Sequence, residues 1–273
     1  MLQPVGVFDS GVGGLTVLKA LRTALPERDF LYLGDTARVP YGRKPREMVE
    51  AFAYGITTWL VEHGGVEAVV VACNTASAAA LPTLQSEFAV PLWGVIEPGV
   101  EAARRVTRSR IVGVIGTQGA ISSGSYQRRL EAYGLTVWAK ACPLFVHLVE
   151  EGLAESDEAE MLARHYLEGR PDFDTLILGC THYPMLRSIL QRVLGPRVTL
   201  VGSDETTAEI VKASLASDPD RGSGRAGRIT HLVTGDVLAY QHTARVIGGV
   251  DGEIRQLDVT QLAALQRGCS SEL

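Results

Sequence analysis

The sequence predicts an α/β protein made of two similar lobes, each with a mainly parallel sheet covered by helices. Short apolar strands alternate with amphipathic helices along the 273 residues, as they do in parallel α/β proteins. Several segments of the first half recur in the second half at a nearly constant offset. Each half also places a cysteine directly after an apolar strand. We therefore expect two lobes related by a pseudo-twofold axis, with the functional site between them.

The predicted elements follow the chain in order. In the first part, short apolar runs predict the strands PVGVFD, DFLYLGD, EAVVVAC and VPLWGVI. Apolar residues at helical spacing predict the intervening helices TVLKALRTAL, REMVEAFAYGITTWLVEHG and SAAALPTLQSEF. The second part repeats this pattern with the strands RIVGVIG, LTVWAK, FDTLILGC and RVTLVGS and the helices SSGSYQRRLEAYG, ESDEAEMLARHYLEG and TTAEIVKASLAS.

A charged, Gly/Ser-rich stretch, SDPDRGSGRAGR, is the one obvious flexible segment, and the elements HLVTGD, QHTARVIGG and EIRQLDV follow it. We expect this last part of the chain to return to the first lobe. The expected first lobe comprises residues 1–96 plus 208–273, and the expected second lobe comprises residues 97–207.

The internal repeat is the observation that connects the two halves. VGVFDSGVG begins at Val5 and VGVIGTQGA at Val112, which is an offset of 112 − 5 = 107 residues. VVACNT and ILGCTH show the same offset, so Cys73 and Cys180 are also separated by 180 − 73 = 107 residues. A third pair, VPLWGVIEPGVE and VTLVGSDETTAE, differs by 108 residues. The two cysteines therefore occupy equivalent positions in two similar halves.

Composition excludes several classes of protein. Hydrophobic residues make up 46% and charged residues 21% of the chain, which is typical of a globular protein. A formal net charge of −5 gives no basic surface for nucleic acid or for an anionic membrane. No signal-peptide pattern opens the chain, and no apolar run reaches the roughly 20 residues of a membrane helix. We therefore expect a cytoplasmic protein.

The four cysteines are Cys73, Cys142, Cys180 and Cys269, and they lack the spacing of a zinc site or a redox motif. In the cytoplasm they are expected to be reduced thiols. A free cysteine is commonly a buried core residue, so Cys180 alone does not indicate a site. Its duplication at the carboxyl ends of two strands does, because ligands of open α/β sheets bind at that edge.

Two opposed thiols suit the removal of a proton from one face of a carbon and its return to the other face. A thiolate is a suitable base and a thiol a suitable acid, because the pKa of an unperturbed cysteine is about 8.5. His182 lies two residues beyond Cys180, and Asp9 ends the first predicted strand, so both are candidate assistants. Asp9 also fits the simpler role of a turn former in a Gly-rich loop.

Cofactor motifs are missing from the sequence. Thr16 occupies the place of the third glycine of a dinucleotide fingerprint, and there is no phosphate-binding GxxxxGK[ST] loop. Pyridoxal phosphate needs a Schiff-base lysine, and none of the four lysines accompanies the cysteine motifs. We expect no cofactor and no metal.

The segments FDSGVGGLTV, GDTARVPYG, VVACNTASA, GVIEPG, PLFVHLVEEG and LGCTHYP resemble, in order and approximate spacing, the motifs of the bacterial glutamate racemase family. This resemblance implies cofactor-independent interconversion of L- and D-glutamate, supplying D-glutamate for peptidoglycan. It implies that Cys73 takes the proton from D-glutamate with help from Asp9, and that Cys180 takes it from L-glutamate with help from His182. The family's additional acidic residue falls on Glu150, with Glu151 directly after it.

The resemblance also implies a set of substrate-binding residues. Hydroxyls, amides and helix N-termini suit glutamate, which carries two carboxylates and an ammonium group. The expected substrate-binding residues are Asp9, Ser10, Tyr41, Gly42, Asn74, Thr75, Thr117, Thr181 and His182. His147 stands where the family often has proline; a partly exposed structural histidine is the favoured interpretation there, and a residue that lines the site is the alternative. A homodimer is the expected assembly.

Two alternatives remain open. Aspartate racemase, or another two-cysteine enzyme of the same superfamily, shares the features of the repeat, and only finer motif residues favour glutamate. A non-catalytic amino-acid-binding protein also fits two α/β lobes, but it has no need for duplicated thiols.

Overall fold

The computed structural model describes residues 3–215, 225–249 and 251–267. Cys269 and most of the Gly/Ser-rich segment expected to be flexible lie outside these residues. Within the described ranges, ten strands form two sheets, and every strand pair is parallel. The α/β class predicted from the alternation of strands and helices is thereby confirmed.

The larger sheet has six strands in the order β10-β9-β2-β1-β3-β4. Its strands are β1 (Val5–Asp9), β2 (Phe30–Gly34), β3 (Ala68–Val71), β4 (Leu92–Gly94), β9 (Ile229–Val233) and β10 (Glu253–Gln256). Both β1 and β3 are buried throughout, as expected of central parallel strands covered on both faces. The last part of the chain thus adds two strands to the sheet formed by the first part.

The smaller sheet has four strands in the order β6-β5-β7-β8. Its strands are β5 (Ile111–Gly116), β6 (Thr136–Ala141), β7 (Thr175–Gly179) and β8 (Thr199–Val201). The central strand β7 is buried along its whole length, whereas the edge strand β6 is mostly half-exposed. All four strands come from the second half of the repeat.

The sequence repeat is also a repeat of strand order and register. Val5 of β1 pairs with Phe30 of β2, and Val112 of β5 pairs with Val137 of β6, so both partners are displaced by 107 residues. The partners of Val5 and Val112 on β3 and β7 show the same displacement. The order β2-β1-β3-β4 of the first sheet therefore corresponds to β6-β5-β7-β8 of the second.

Twelve α-helices occur in the described part of the chain. They are α1 (Leu15–Ala24), α2 (Arg46–Glu62), α3 (Asn74–Glu87), α4 (Ile96–Val106), α5 (Gln118–Ser122), α6 (Ser125–Ala132), α7 (Leu144–Glu150), α8 (Asp157–Leu167), α9 (Arg187–Leu194), α10 (Asp204–Leu215), α11 (Val237–Ile247) and α12 (Val259–Ala263). Short 3₁₀ turns cover Thr36–Arg38, Tyr41–Arg43 and Tyr183–Leu186. Among the described residues, none of the helices combines the length and apolar composition needed to span a membrane.

Several helical regions differ from the sequence prediction, which did not include α5, α9 or α12. The helix expected around residues 122–134 begins only at Ser125, as α6, because Gly124 before it adopts a left-handed backbone conformation with φ of 65°. Helix α7 was not predicted, since its seven residues are too few to show a clear helical period. This short helix carries Glu150 at its carboxyl end.

Candidate active site

A cavity of about 120 Å³ lies where the carboxyl ends of strands from both sheets meet. The first sheet's side of the cavity includes Ser10 after β1 and Cys73 after β3, and the second sheet's side includes Thr117 after β5 and Cys180 after β7. Because equivalent strand ends line the two sides, the repeat brings both thiols to one compact cavity.

Cys73 lies at the N-terminus of α3, where its Sγ accepts a hydrogen bond from the amide of Ala76 at 3.5 Å. The thiol donates to the Ser10 hydroxyl at 3.7 Å, and only 5% of the residue is exposed. Burial, followed by the negative charge of Asp9, raises the pKa of the Cys73 thiol to about 12. Without a ligand, Cys73 is therefore a neutral thiol, and a cation beside it would favour the thiolate.

Cys180 has a different set of partners. Its Sγ lies 3.8 Å from Nδ1 of His182, and Nε2 of the same ring lies 2.9 Å from Oε1 of Glu150. Burial of His182 opposes its charge, but the bonds to Cys180 and Glu150 outweigh it and raise the pKa of His182 to about 10. The second sheet's side thus places the ring of His182 between the sulfur of Cys180 and the side chain of Glu150.

The structure distinguishes the two adjacent glutamates. Glu150 is the residue that bonds to His182 and lines the cavity. Glu151 follows the end of α7 and is exposed, and it is not among the described residues that line the cavity. The geometry therefore favours Glu150 as the additional acidic group.

Asp9 lies beneath the cavity. It is 1% exposed, and it is not among the described residues that form the cavity wall. Its Oδ2 accepts from the amide of Gly11 at 3.0 Å, whereas Oδ1 has no partner among the described residues. Burial raises the pKa of Asp9, and the charge of His182 partly offsets that effect. Asp9 therefore interacts electrostatically with both the Cys73 side and the His182 side.

All the other predicted substrate-binding residues line the cavity. They are Ser10, Tyr41, Gly42, Asn74, Thr75, Thr117, Thr181 and His182. The hydroxyls of Thr75 and Thr117, one from each half of the repeat, bond to each other in the cavity wall at 2.8 Å. Asn74 donates its amide to the Tyr126 hydroxyl at 2.8 Å, which leaves its carbonyl oxygen for a ligand.

Glycines permit the close approach of the two sides. A Cβ atom on Gly13 would lie 2.2 Å from Oγ1 of Thr181, and one on Gly42 would lie 2.9 Å from Cβ of Thr117. Both distances are shorter than real Cβ contacts, so a side chain at either position would push the two sides apart. The glycines at these two positions thus keep the cavity narrow.

Sequence reasoning missed several lining residues: Gly11, Val39, Pro40, Arg43, Gln118, Pro143 and Val146. Arg43 and Gln118 directly follow predicted site residues, which is the one signal that pointed to them. His147, for which a structural role was favoured, is exposed and lines the cavity. Cys142 is buried but is not among the described lining residues.

Paired parallel sheets with one thiol each at a shared cavity define the class as an α/β protein with a two-cysteine site. A model of the family described as Asp/Glu/Hydantoin racemase matches residues 10–211. A glutamate racemase of Thermus thermophilus is 52% identical over 260 residues, covering 95% of this chain and 98% of that protein. The chain therefore belongs to the glutamate racemase family.

Solved structures agree with this assignment. Glutamate racemase from Thermus thermophilus in complex with β-chloro-D-alanine superposes with a TM-score of 0.87 at 51% identity, covering 94% of this chain and 98% of that one. Glutamate racemase from Francisella tularensis in complex with D-glutamate gives a TM-score of 0.87 at 31% identity, covering 95% and 98%. Two sets of parallel strands with helices are thus the fold of this family as well as of this chain.

Proposed function

We propose that this protein interconverts L- and D-glutamate by proton transfer between two cysteines, without a cofactor. The observation that carries the proposal is that Cys73 and Cys180, which are equivalent in the repeat, line one cavity. Membership of the glutamate racemase family supports glutamate as the substrate.

In the proposed reaction, the thiolate of one cysteine takes the proton from Cα of glutamate. An S–H bond forms, the C–H bond breaks, and the electron pair stays on the carbon, delocalised into the α-carboxyl group. The thiol of the other cysteine then donates its proton to the opposite face, which inverts the centre and leaves the second cysteine as the thiolate. We assign abstraction from D-glutamate to Cys73 and abstraction from L-glutamate to Cys180.

The surrounding residues support these roles. The imidazolium of His182, held by Glu150, stabilises a thiolate on Cys180. A bound substrate supplies an ammonium group, which would lower the pKa of the buried Cys73 thiol. Asp9, which lies outside the described cavity wall, is proposed to assist Cys73 and to act on the substrate ammonium group through its charge. General acid–base assistance of this kind is typically worth about 10² to 10⁴ in rate.

The remaining polar residues of the wall are proposed to bind the substrate. The hydroxyls of Ser10, Thr75, Thr117 and Thr181 and the carbonyl of Asn74 suit the two carboxylates and the ammonium group of glutamate. Tyr41 and Gly42 complete the wall on the side of the first sheet.

The direct test follows the circular dichroism of L- or D-glutamate with the purified protein and no added cofactor. Loss of optical signal is expected from either isomer, and Cys73→Ala and Cys180→Ala should each abolish racemisation. Near-native racemisation by either variant would refute the two-base assignment.

The same assay addresses the two alternatives. An aspartate racemase would remove the optical signal of aspartate faster than that of glutamate. A non-catalytic binding protein would bind glutamate, measured by calorimetry, and leave its optical signal unchanged.

We further propose that the protein acts in the cytoplasm as a homodimer and supplies D-glutamate for peptidoglycan. The proposed lobes are residues 1–96 plus 208–273 and residues 97–207. The two sheets support this division, because all strands of the larger sheet fall in the first set of residues and all strands of the smaller sheet fall in the second. The second boundary falls inside α10. Light scattering after gel filtration tests the dimer, and growth of a glutamate racemase-deficient bacterium without D-glutamate tests the role in the cell.

A further inference from the structure

The loop that carries Tyr41 and Gly42 contains a buried carboxylate that does not line the cavity. Asp35 is 0% exposed and follows β2. Its Oδ2 accepts hydrogen bonds from the Tyr41 hydroxyl and, at 2.7 Å, from Nε of Arg38. Its Oδ1 accepts from the hydroxyl of Thr234 at 2.8 Å. Asp35 therefore joins the cavity loop to a residue almost 200 positions later in the chain.

Thr234 lies directly after β9, in the part of the chain that returns to the first sheet. Besides donating to Asp35, its hydroxyl accepts from the amide of Ala37 at 2.9 Å. The Thr234 amide donates to the carbonyl of Gly34 at 3.1 Å, and the next amide, of Gly235, donates to the hydroxyl of Thr36 at 2.8 Å. The end of β9 thus holds the loop at several points of its first turn.

These bonds determine which part of Tyr41 faces the cavity. The hydroxyl is bonded to Asp35, and the residue is only 1% exposed, so the wall is formed by the rest of Tyr41 and by Gly42. Gly42 in turn lies against Thr117 of the other sheet's side. A displacement of the loop would therefore change the width of the cavity.

We propose that Asp35 and Thr234 are positioning residues, through which the returning part of the chain holds the Tyr41–Gly42 wall in place for substrate binding. This inference rests on the proposed function for its kinetic consequence. Neither residue is among the described residues that line the cavity, so each acts through Tyr41 and the loop.

The experiment compares three variants of buried threonines. Thr234→Val removes the hydroxyl with little change of shape, and Thr234→Ser keeps it. Thr57→Val is the matched control, because Thr57 is also buried and its hydroxyl bonds only to a carbonyl within α2, at 2.8 Å. Each variant is measured by hydrogen–deuterium exchange of residues 36–44 and by KM and kcat for D-glutamate.

Loss of a hydrogen bond typically changes an equilibrium about 2- to 10-fold. Thr234→Val should therefore raise KM about 2- to 10-fold with less effect on kcat, and should speed exchange in residues 36–44. Thr234→Ser should stay close to the wild type in both measurements. Thr57→Val should lower thermal stability without changing KM or the exchange of residues 36–44.

Tyr41→Phe supplies a second measurement. If both variants act through Asp35, the double variant Thr234→Val with Tyr41→Phe should raise KM by less than the product of the two single effects. Exchange and KM of Thr234→Val equal to those of Thr57→Val would overturn the inference. A wild-type protein without racemase activity would instead contradict the proposed function, and the exchange comparison would still decide the positioning role.

Discussion

The bond between His182 and Glu150 leads to a quantitative prediction for Glu150→Gln. The variant keeps the shape of the side chain but replaces the carboxylate, whose Oε1 lies 2.9 Å from Nε2 of His182. Because the negative charge helps to hold the pKa of His182 at about 10, its removal should lower that pKa. The direction follows because the protonated ring gains more from the negative carboxylate than the neutral ring does.

The size of the change follows from the strength of the bond. Hydrogen bonds to charged groups contribute about 1.5–3 kcal/mol, and about 1.4 kcal/mol corresponds to one pH unit. The Glu150 side chain is 34% exposed, so solvent screening favours the lower end of this range. We therefore expect the pKa of His182 to fall by about one pH unit.

Two measurements check this expectation. The alkaline limb of the pH profile of kcat/KM should move to lower pH by about one unit, in both directions of racemisation. NMR titration of the ring should show the same change, with the signal assigned by its loss in His182→Asn. Glu151→Gln is the control, because the neighbouring Glu151 is exposed and Glu150 provides the bond. An unchanged alkaline limb and ring titration in Glu150→Gln would refute the reasoning.

Four further outcomes are expected. His182→Asn should alter the primary isotope effect with α-deuterated L-glutamate more than with D-glutamate, and Asp9→Asn should do the reverse; equal changes would remove the assignment of these residues to opposite faces. Cys142→Ala should retain most racemase activity, because Cys142 lies outside the described cavity wall, and a large loss of kcat would contradict this. Arg43→Gln should lower kcat/KM roughly two- to fivefold at low salt, because an exposed cation in the cavity wall attracts an anionic substrate. If kcat/KM of the variant remained equally reduced in about 1 M salt, this screened attraction would be excluded. Because the pKa of His182 is raised on folding, its contribution to stability is fully present below pH 6.5, the pKa of the unfolded state, and is lost as the pH rises through about 10. The urea midpoint of His182→Asn should therefore lie further below that of the wild type at pH 6 than at pH 10. An equal difference at the two pH values would contradict this expectation.

The sequence by itself determined the class of fold and the location of the two thiols. The offset of 107 residues predicted two similar parallel sheets, and the register of Val5 and Val112 confirms it. Carboxyl ends of parallel strands lie at one edge of a sheet, so residues just after β3 and β7 had to lie at equivalent edges. This inference needed only local patterns, namely the strand, its end and the next residue.

The tertiary structure decided what depends on contacts between distant segments. The choice of Glu150 over Glu151 follows from the orientation of α7, a helix too short to be predicted. The contact of Thr234 with Asp35 joins residues 199 positions apart, and neither residue's motif indicated it. Such contacts arise when segments distant along the chain become neighbours, as β2 and β9 do in the larger sheet, and their packing depends on the volumes of many side chains at once. The sequence pattern carries the position of each strand end, whereas the direction of each side chain is decided only when segments distant along the chain pack together.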